Sequence, residues 1–386
     1  MRLLHVYSGN LFGGIETMLV ACARAASACP GLHHEFAVCF DDQLAAALRH
    51  AGCAVHQLGP VRMRRPGTVR AARRALEDLL AAGPFDRVVC HAPWTQAIFG
   101  SVVRRRRVPL VFWAHDVMTG GHWTERLARL VLPDLVVCNS AFTASTLHHL
   151  YPQVRSVVVH PPVLAVTGAG QGDAHGSPAA PDMDGRQTLR ASLETSPSAF
   201  VIAQASRCEP WKGHSALLDA LVSLSDEPDW VWWVIGGAQR PEEDAYMATL
   251  RQTAADRGVS DRIRWVGQRS DVLSLLKAAD LHCQANQSPE PFGIAFVEAL
   301  AAGLPVVTVG FGGATEIVDA SCGVLIPPDD PPALGAALRR LMRDTSLRER
   351  LSHHAPIRAR HLCDPATQLR VLSDALASMI PLEATG

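Results

Sequence analysis

Short runs of β-branched and aliphatic residues recur along the chain, each followed by a stretch whose apolar positions return every three or four residues. Leu3–Tyr7, Glu35–Phe40, Ala54–Leu58, Arg87–Cys90, Pro109–Trp113, Leu135–Cys138 and Ser156–Val159 read as strands in the first half. Phe200–Ala205, Trp230–Ile235, Arg262–Val266, Asp280–Gln284, Pro305–Val309 and Gly323–Ile326 repeat the pattern in the second. This alternation of strand and amphipathic stretch is the signature of βαβ units and predicts an α/β chain with mostly parallel sheets. Gln43–His50, Arg70–Ala82, His214–Leu224 and Ile294–Ala302 read as four of the intervening helices. From Pro331 onward the chain is predicted helical, with breaks at Pro356 and Pro365.

Between the two series, Leu164–Ser198 collects Gly, Ser, Pro, Asp and Ala without a sustained hydrophobic period. It reads as a linker or surface excursion carrying one short helix at Arg186–Leu193. The expected organisation is a Rossmann-like domain over 1–163, the linker over 164–198, a second Rossmann-like domain over 199–364 and a terminal helical segment over 365–386. Two such domains facing one another make a cleft, with the carboxyl ends of the strands pointing into it.

Composition narrows the class. A length of 386 residues suits two domains, and 48 % hydrophobic with 19 % charged residues excludes a disordered chain. No apolar run reaches the ~18–20 uncharged residues of a membrane span, and the start lacks a signal peptide's layout, so a soluble cytoplasmic protein is expected. The ten cysteines are never closer than seven residues apart, which excludes CxxC metal and redox patterns and reads as reduced thiols. Residues 1–162 carry 17 Arg and 10 acids, a balance of +7, against −8 for the remainder. The basic half suits an anionic partner. Arg104–Arg107, with the basic helix from Arg64 to Arg74, suits anionic lipid headgroups, which implies peripheral contact at the inner face of the plasma membrane; a charge run is more often a solvated face. Only two of the 36 basic residues, Lys212 and Lys277, are lysines.

The densest motif is Glu290-Pro-Phe-Gly-Ile-Ala-Phe-Val-Glu298, followed by Gly303-Leu-Pro305. Pro291 and Gly293 shape a turn into the helix Ile294–Ala302, whose first N–H groups have no intrahelical partner and suit a phosphate or a sugar hydroxyl. Arg207 and Lys212 form a second constellation in Arg207-Cys-Glu-Pro-Trp-Lys-Gly213, with Lys212-Gly213 read as opening a helix. Two cations at a strand–loop–helix junction match the charge that builds on a leaving diphosphate. Gly13-Gly14 follow the first strand and let backbone amides approach an anion, but neither G-x-G-x-x-G nor G-K-[ST] is present, so dinucleotide and Walker-type readings fail. His115 closes the strand Pro109–Trp113, and Gly312, Gly313, Thr315 and Glu316 follow the strand Pro305–Val309.

The spacing Glu290-x7-Glu298 resembles the E-x7-E motif of retaining GT-B glycosyltransferases, specifically family 4 (glycosyl transferases group 1). The resemblance covers most of the chain and is tightest over Phe200–Pro328. It implies that Glu290 contacts donor-sugar hydroxyls and Glu298 the nucleotide ribose, with the amides of Phe292, Gly293 and Ile294 near the sugar and diphosphate. Arg207 and Lys212 are similar to the family's pyrophosphate-binding pair, although Glu209-Pro210 stands where Pro-Glu is commoner. Gly13 and Gly14 fall where the family closes on the donor phosphate, His115 where a histidine contacts the donor sugar, Gly267 where backbone cups the nucleobase, and Glu316 close to the donor site. The terminal helix Ala366–Ile380 is implied to cross back onto the first, acceptor-binding domain.

The expectation is therefore a retaining transfer from a nucleotide-diphosphate sugar to an unidentified acceptor: a glycan, a lipid-linked molecule or a small molecule. Neither a metal nor a resident cofactor is expected, and no nucleic-acid partner. Two alternatives stay open, a nucleotide-sugar 2-epimerase-like isomerase and a catalytically silent sugar-nucleotide-binding protein. Hydrolysis is disfavoured, because eight residues of helical rise separate the two glutamates by ~12 Å, against ~5–5.5 Å for a retaining glycosidase pair. A pyridoxal-phosphate enzyme is disfavoured because only Lys212 and Lys277 are available for the Schiff base.

Overall fold

The computed structural model describes residues 1–10, 12–167, 183–227 and 229–379. It divides into two compact units, one of Met1–Leu164 with Cys363–Gly386 and the other of Ala165–Leu362.

In the first unit, seven parallel strands lie in the order β3-β2-β1-β4-β5-β6-β7. They are β1 (Arg2–Tyr7), β2 (His33–Val38), β3 (Val55–Gln57), β4 (Arg87–His91), β5 (Leu110–Ala114), β6 (Leu135–Cys138) and β7 (Ser156–Val158). All five residues of β5 and all four of β6 are buried, as expected for strands covered on both faces. The helices Pro66–Ala82 and Ala92–Arg105 pack over this sheet, with Leu76, Phe99 and Val103 in its core. The helix Pro365–Ala377 belongs to this unit. His160 N–H donates to Gln368 Oε1 at 3.0 Å, and Arg87 reaches the carbonyl of Leu376.

The second unit has six parallel strands in the order β10-β9-β8-β11-β12-β13. They are β8 (Phe200–Ala205), β9 (Trp230–Ile235), β10 (Ile263–Gly267), β11 (Leu281–Gln284), β12 (Val306–Val309) and β13 (Gly323–Ile326). Trp230, Trp232 and Leu217 fill a core closed on its far side by the helix Pro331–Arg343. In both sheets the strand order reverses beside the first strand, β1 or β8. The crevice at the carboxyl ends there is where open α/β sheets take ligands.

Three expectations change. Residues 183–198 are not free linker: the helix Met183–Ser192 is clamped to the second unit, with Arg186 and Arg190 each on one oxygen of Asp280, at 2.6 and 2.7 Å. Buried Arg190 also donates to the carbonyls of Ala278 and Ala199, which satisfies a charge that burial alone makes costly. The rest of the expected linker, 168–182, lies outside the described residues, as does Ile380. Pro356 does not break the tail, since one helix runs Thr345–Cys363 through it. Leu351, Ala355 and Ala359 are buried on either side of the proline, and that packing offsets an interior-proline cost of about 3 kcal/mol. Finally, Lys212 ends a short 3-10 turn, Pro210–Lys212, and the following helix opens at His214. Gly213 separates the two in a left-handed conformation.

Candidate functional site

In the second unit the site grows from the carboxyl ends of β8, β11 and β12. Gly213 has φ +76°, and a Cβ there would fall 1.7 Å from the carbonyl oxygen of Ala285, just past β11. Only glycine permits so close an approach. The turn is tied down further: Gln287 N–H donates to the Trp211 carbonyl at 2.8 Å, and Gln204 Nε2 to the Lys212 carbonyl at 3.0 Å. With its backbone held, Lys212 places Nζ 3.9 Å from the centre of the Trp211 ring and 2.7 Å from Glu290 Oε2.

Glu290 is buried, and its charge is met by convergent donors. Besides Lys212, Asn286 Nδ2 donates to Oε2 at 2.8 Å and Gln284 Nε2 at 3.3 Å. All three act on the same oxygen, so Oε1 has no protein partner among the described residues and can accept a ligand hydroxyl. The Glu290 backbone is fixed by the glycine-rich turn after β12. Gly313 N–H donates to the Glu290 carbonyl at 2.7 Å, and a Cβ on Gly312 would sit 2.7 Å from that same oxygen.

The helix Ile294–Ala301 begins behind Gly293, whose φ of +112° and close approach to the Phe296 ring exclude a side chain. Phe292 is buried, and among the described residues no backbone carbonyl accepts the N–H of Gly293 or Ile294. Two free donors at the positive end of a helix suit an anion. One turn in, Glu298 is half-buried with no cation paired to it among the described residues, and burial pushes its carboxyl up to about 7. It can therefore offer or accept a hydrogen bond near neutral pH.

Arg207 sits one residue past Ser206 at the end of β8. It pairs with Glu209 and with buried Glu243, the latter at 3.2 Å, so its charge is shared between two carboxylates. Glu209 thus acquires a place, as a partner of Arg207. The Gly267 carbonyl accepts from Gly236 N–H at 2.8 Å; Gly267 has φ +75°, and a Cβ built on it would meet no atom within 4 Å. Glu316 lies in the short helix Ala314–Ile317, with its carbonyl held by Arg358 at 2.7 Å; exposed Thr315 donates to the Gly312 carbonyl.

In the first unit Gly13 precedes a helix that opens at Gly14. Its N–H is already taken, donating to Glu16 Oε2 at 2.9 Å. His115 is buried one residue past β5, with Asn139 donating to its carbonyl at 3.0 Å. The arginine run is unequal in role. Arg104 is a structural residue, held on both oxygens of Asp134 at 2.8 and 2.9 Å. Arg105 instead joins Arg70, Arg73, Arg74, Met63 and Glu77 around a surface groove of about 600 Å³. Of the residues singled out in the sequence, the fold brings Lys212, Glu290, Gly312 and Gly313 into direct contact. Sequence reasoning missed Gln204, Gln284 and Asn286, whose signal was polar side chains at the ends of otherwise apolar strands.

Comparison with known proteins places these features in context. Residues 185–358 match the family model "Glycosyl transferases group 1", and residues 12–164 match "Glycosyltransferase Family 4". A D-inositol 3-phosphate glycosyltransferase of Jonesia denitrificans is 32 % identical over 70 % of this chain and 66 % of its own length. One from Salinispora arenicola is 30 % identical over 74 % of this chain and 66 % of its own. The chain thus spans just under two thirds of the length of these relatives. Among solved structures, Anabaena Alr3699/HepE in complex with UDP-glucose superposes with a TM-score of 0.83 at 23 % identity, covering 98 % of this chain and all of that one. The likeness extends the observed pair of parallel sheets to a GT-B fold of two Rossmann-like domains.

Proposed function

This chain belongs to the group 1 glycosyl transferases of family 4, and on that premise we propose that it is a retaining glycosyltransferase, taking a sugar from a nucleotide-diphosphate donor. The observation that carries the reading is the Glu290 carboxylate. One oxygen is saturated by Lys212, Asn286 and Gln284 and the other is left to a ligand, beside the unpaired amides of Gly293 and Ile294.

In this reading Glu290 Oε1 accepts from donor-sugar hydroxyls and Glu298 bonds the ribose. Lys212, Arg207 and the amides of Phe292, Gly293 and Ile294 meet the charge that develops on the diphosphate as the anomeric C–O bond breaks. The acceptor oxygen then bonds the anomeric carbon from the same face, which retains its configuration, and the acceptor proton leaves with the diphosphate. With the leaving group so neutralised the step needs neither a metal nor a resident cofactor; the nucleotide sugar is a co-substrate. Gly267 lies at the nucleobase and Glu316 near the donor. On the first unit the same reading assigns His115 to the donor sugar and Gly13 and Gly14 to its phosphates, Gly13 exchanging Glu16 for phosphate. That unit is assigned the acceptor.

The basic groove at Arg70, Arg73, Arg74 and Arg105 supports an anionic acceptor or a lipid surface. Leu130 and Leu132, 78 % and 58 % exposed, add apolar side chains, and Arg104 donates to the Leu132 carbonyl. No helix among the described residues is long and apolar enough to cross a membrane, and peripheral attachment at the cytoplasmic face is the arrangement we propose. Incubation with labelled nucleotide sugars tests the activity. Release of nucleoside diphosphate that depends on an added acceptor supports transfer. Conversion of the donor without acceptor identifies an isomerase, and binding without turnover a silent module.

A further inference from the structure

Four buried histidines of the first unit are joined by hydrogen bonds from ring to ring. His34 Nδ1 lies 2.9 Å from His5 Nε2, His5 Nδ1 2.8 Å from His91 Nε2, and His91 Nδ1 2.9 Å from His115 Nε2. The strand register explains the line. His34 pairs with Leu3, two residues before His5; His5 pairs with Val89, two before His91; His91 pairs with Trp113, two before His115. A step of two residues returns a side chain to the same face, so the four rings climb diagonally across β2, β1, β4 and the end of β5 toward the carboxyl edge. Phe36 stacks on His5, and Trp113 on both His91 and His115, which holds the rings in place.

The proton count is constrained. Burial lowers the basicity of all four, to about 4 for His34 and about 3 for His115, so every ring is neutral near pH 7 and carries one N–H. Four protons serve three ring-to-ring bonds. The fourth must then occupy one of the two outer nitrogens, His34 Nε2 or His115 Nδ1. His34 Nε2 is sealed from solvent with no hydrogen-bond partner. A buried N–H without an acceptor is among the rarest arrangements in folded proteins, whereas an unused lone pair is better tolerated. His115 Nδ1 has no protein partner among the described residues, and unlike His34 Nε2 it is not among the nitrogens sealed from solvent.

We propose that His34, His5 and His91 are positioning residues that lock His115 in the tautomer with its proton on Nδ1, so that His115 presents a hydrogen-bond donor rather than a base. Each ring donates its Nδ1–H to Nε2 of the next, and the series ends on His115 Nδ1–H. The ligand atom it fits is an oxygen that accepts: a ring or glycosidic oxygen, a phosphate oxygen, or the lone pair of a sugar hydroxyl. That consequence for the ligand rests on the assignment of His115 to the donor sugar; the tautomer does not.

The test is ¹⁵N NMR of imidazole-labelled, full-length protein without ligand. Free histidine favours the Nε2–H tautomer, so four rings protonated on Nδ1 and unchanged from pH 8 to pH 5 are the expected result. A His115 ring protonated on Nε2 overturns the proposal. In His34→Glu a carboxylate oxygen can accept from His5 Nε2–H, so the sealed end gains an acceptor and the series of neutral rings can reverse. His115 should then switch its proton to Nε2, a change that packing alone does not cause; no switch in a folded variant contradicts the lock. Should that variant unfold, His34→Phe leaves His5 Nε2 sealed without an acceptor, so His115 should keep its Nδ1 proton, and a switch to Nε2 there contradicts the lock. A titration with UDP-glucose, GDP-mannose and ADP-glucose in turn separates this from the site assignment. If His115 holds the Nδ1 proton but no nucleotide sugar moves its signal, the site assignment fails and the lock stands. The reverse result retires the lock alone.

Discussion

Lys212 donates to Glu290 Oε2 at 2.7 Å, and that bond divides the carboxylate into a structural oxygen and a free one. The lysine is both a counter-ion and a positioning device, since Asn286 and Gln284 converge on the same atom. Replacing Lys212 by Met leaves a buried carboxylate with two neutral donors. A loss of about 1–3 kcal/mol in urea unfolding is expected. The double variant Lys212→Met/Glu290→Gln should lose less than the sum of the single variants, because removing the charge removes the need for its partner. Additive losses would mean that the two side chains do not depend on one another.

Glu298 gives a pH signature of the opposite sign to an ordinary salt-bridged acid. Its carboxyl is raised to about 7 in the folded protein, above its unfolded range. The folded state therefore holds the proton more tightly, and the stability this contributes, complete below about pH 4.5, is lost as pH rises through 7. Glu298→Gln should match the wild type near pH 5 and melt higher at pH 8. A melting difference that stays flat across this range would contradict the burial of the carboxyl.

The four-histidine series adds acid sensitivity. Rings with lowered basicity bind fewer protons when folded than when unfolded, so the stability tied to their neutral form is full above pH 6.5. It is lost as pH falls from 6.5 toward the folded values of about 4 for His34 and about 3 for His115. The slope of melting temperature against pH between 6.5 and 4 should be shallower in His34→Phe than in the wild type. An unchanged slope would show that His34 does not contribute.

Two glycines with the same sign of φ separate geometry from contact. Gly303 has φ +84° and open space around a Cβ; Gly213 has φ +76° and a carbonyl oxygen 1.7 Å from it. Gly303→Ala should cost only the left-handed penalty of about 1–2 kcal/mol. Gly213→Ala must also push back the end of β11, and a loss above about 4 kcal/mol in chemical unfolding is expected. Equal losses would show that the turn at Gly213 can move.

Much of the fold was legible from pattern, and the reasons differ between elements. Buried parallel strands such as Leu135–Cys138 and Trp230–Ile235 are continuous apolar runs, so their hydrophobic pattern alone locates them to the residue. Pro356 misled because local propensity predicts a break, while the buried face on either side holds the helix through it. The helix Met183–Ser192 was placed to within a few residues, but its clamp on Asp280 joins residues about 90 apart and leaves no local trace. The site divides in the same way. Glu290, Glu298 and the flanking glycines announce themselves by spacing. Asn286, Gln284 and the three inner histidines gain meaning only from which strands are neighbours and in what register.

The central claim is that the second unit holds a nucleotide-diphosphate sugar at Glu290, Lys212 and Glu298, and calorimetric titration tests it most directly. UDP, GDP and ADP and their sugar conjugates are titrated into the wild type and into Lys212→Ala, Glu298→Ala and Arg105→Ala. The account predicts saturable binding of one nucleotide series to the wild type, weakening of at least tenfold in Lys212→Ala and Glu298→Ala, and undiminished affinity in Arg105→Ala. Full affinity in folded Lys212→Ala and Glu298→Ala proteins would put the ligand elsewhere and contradict it.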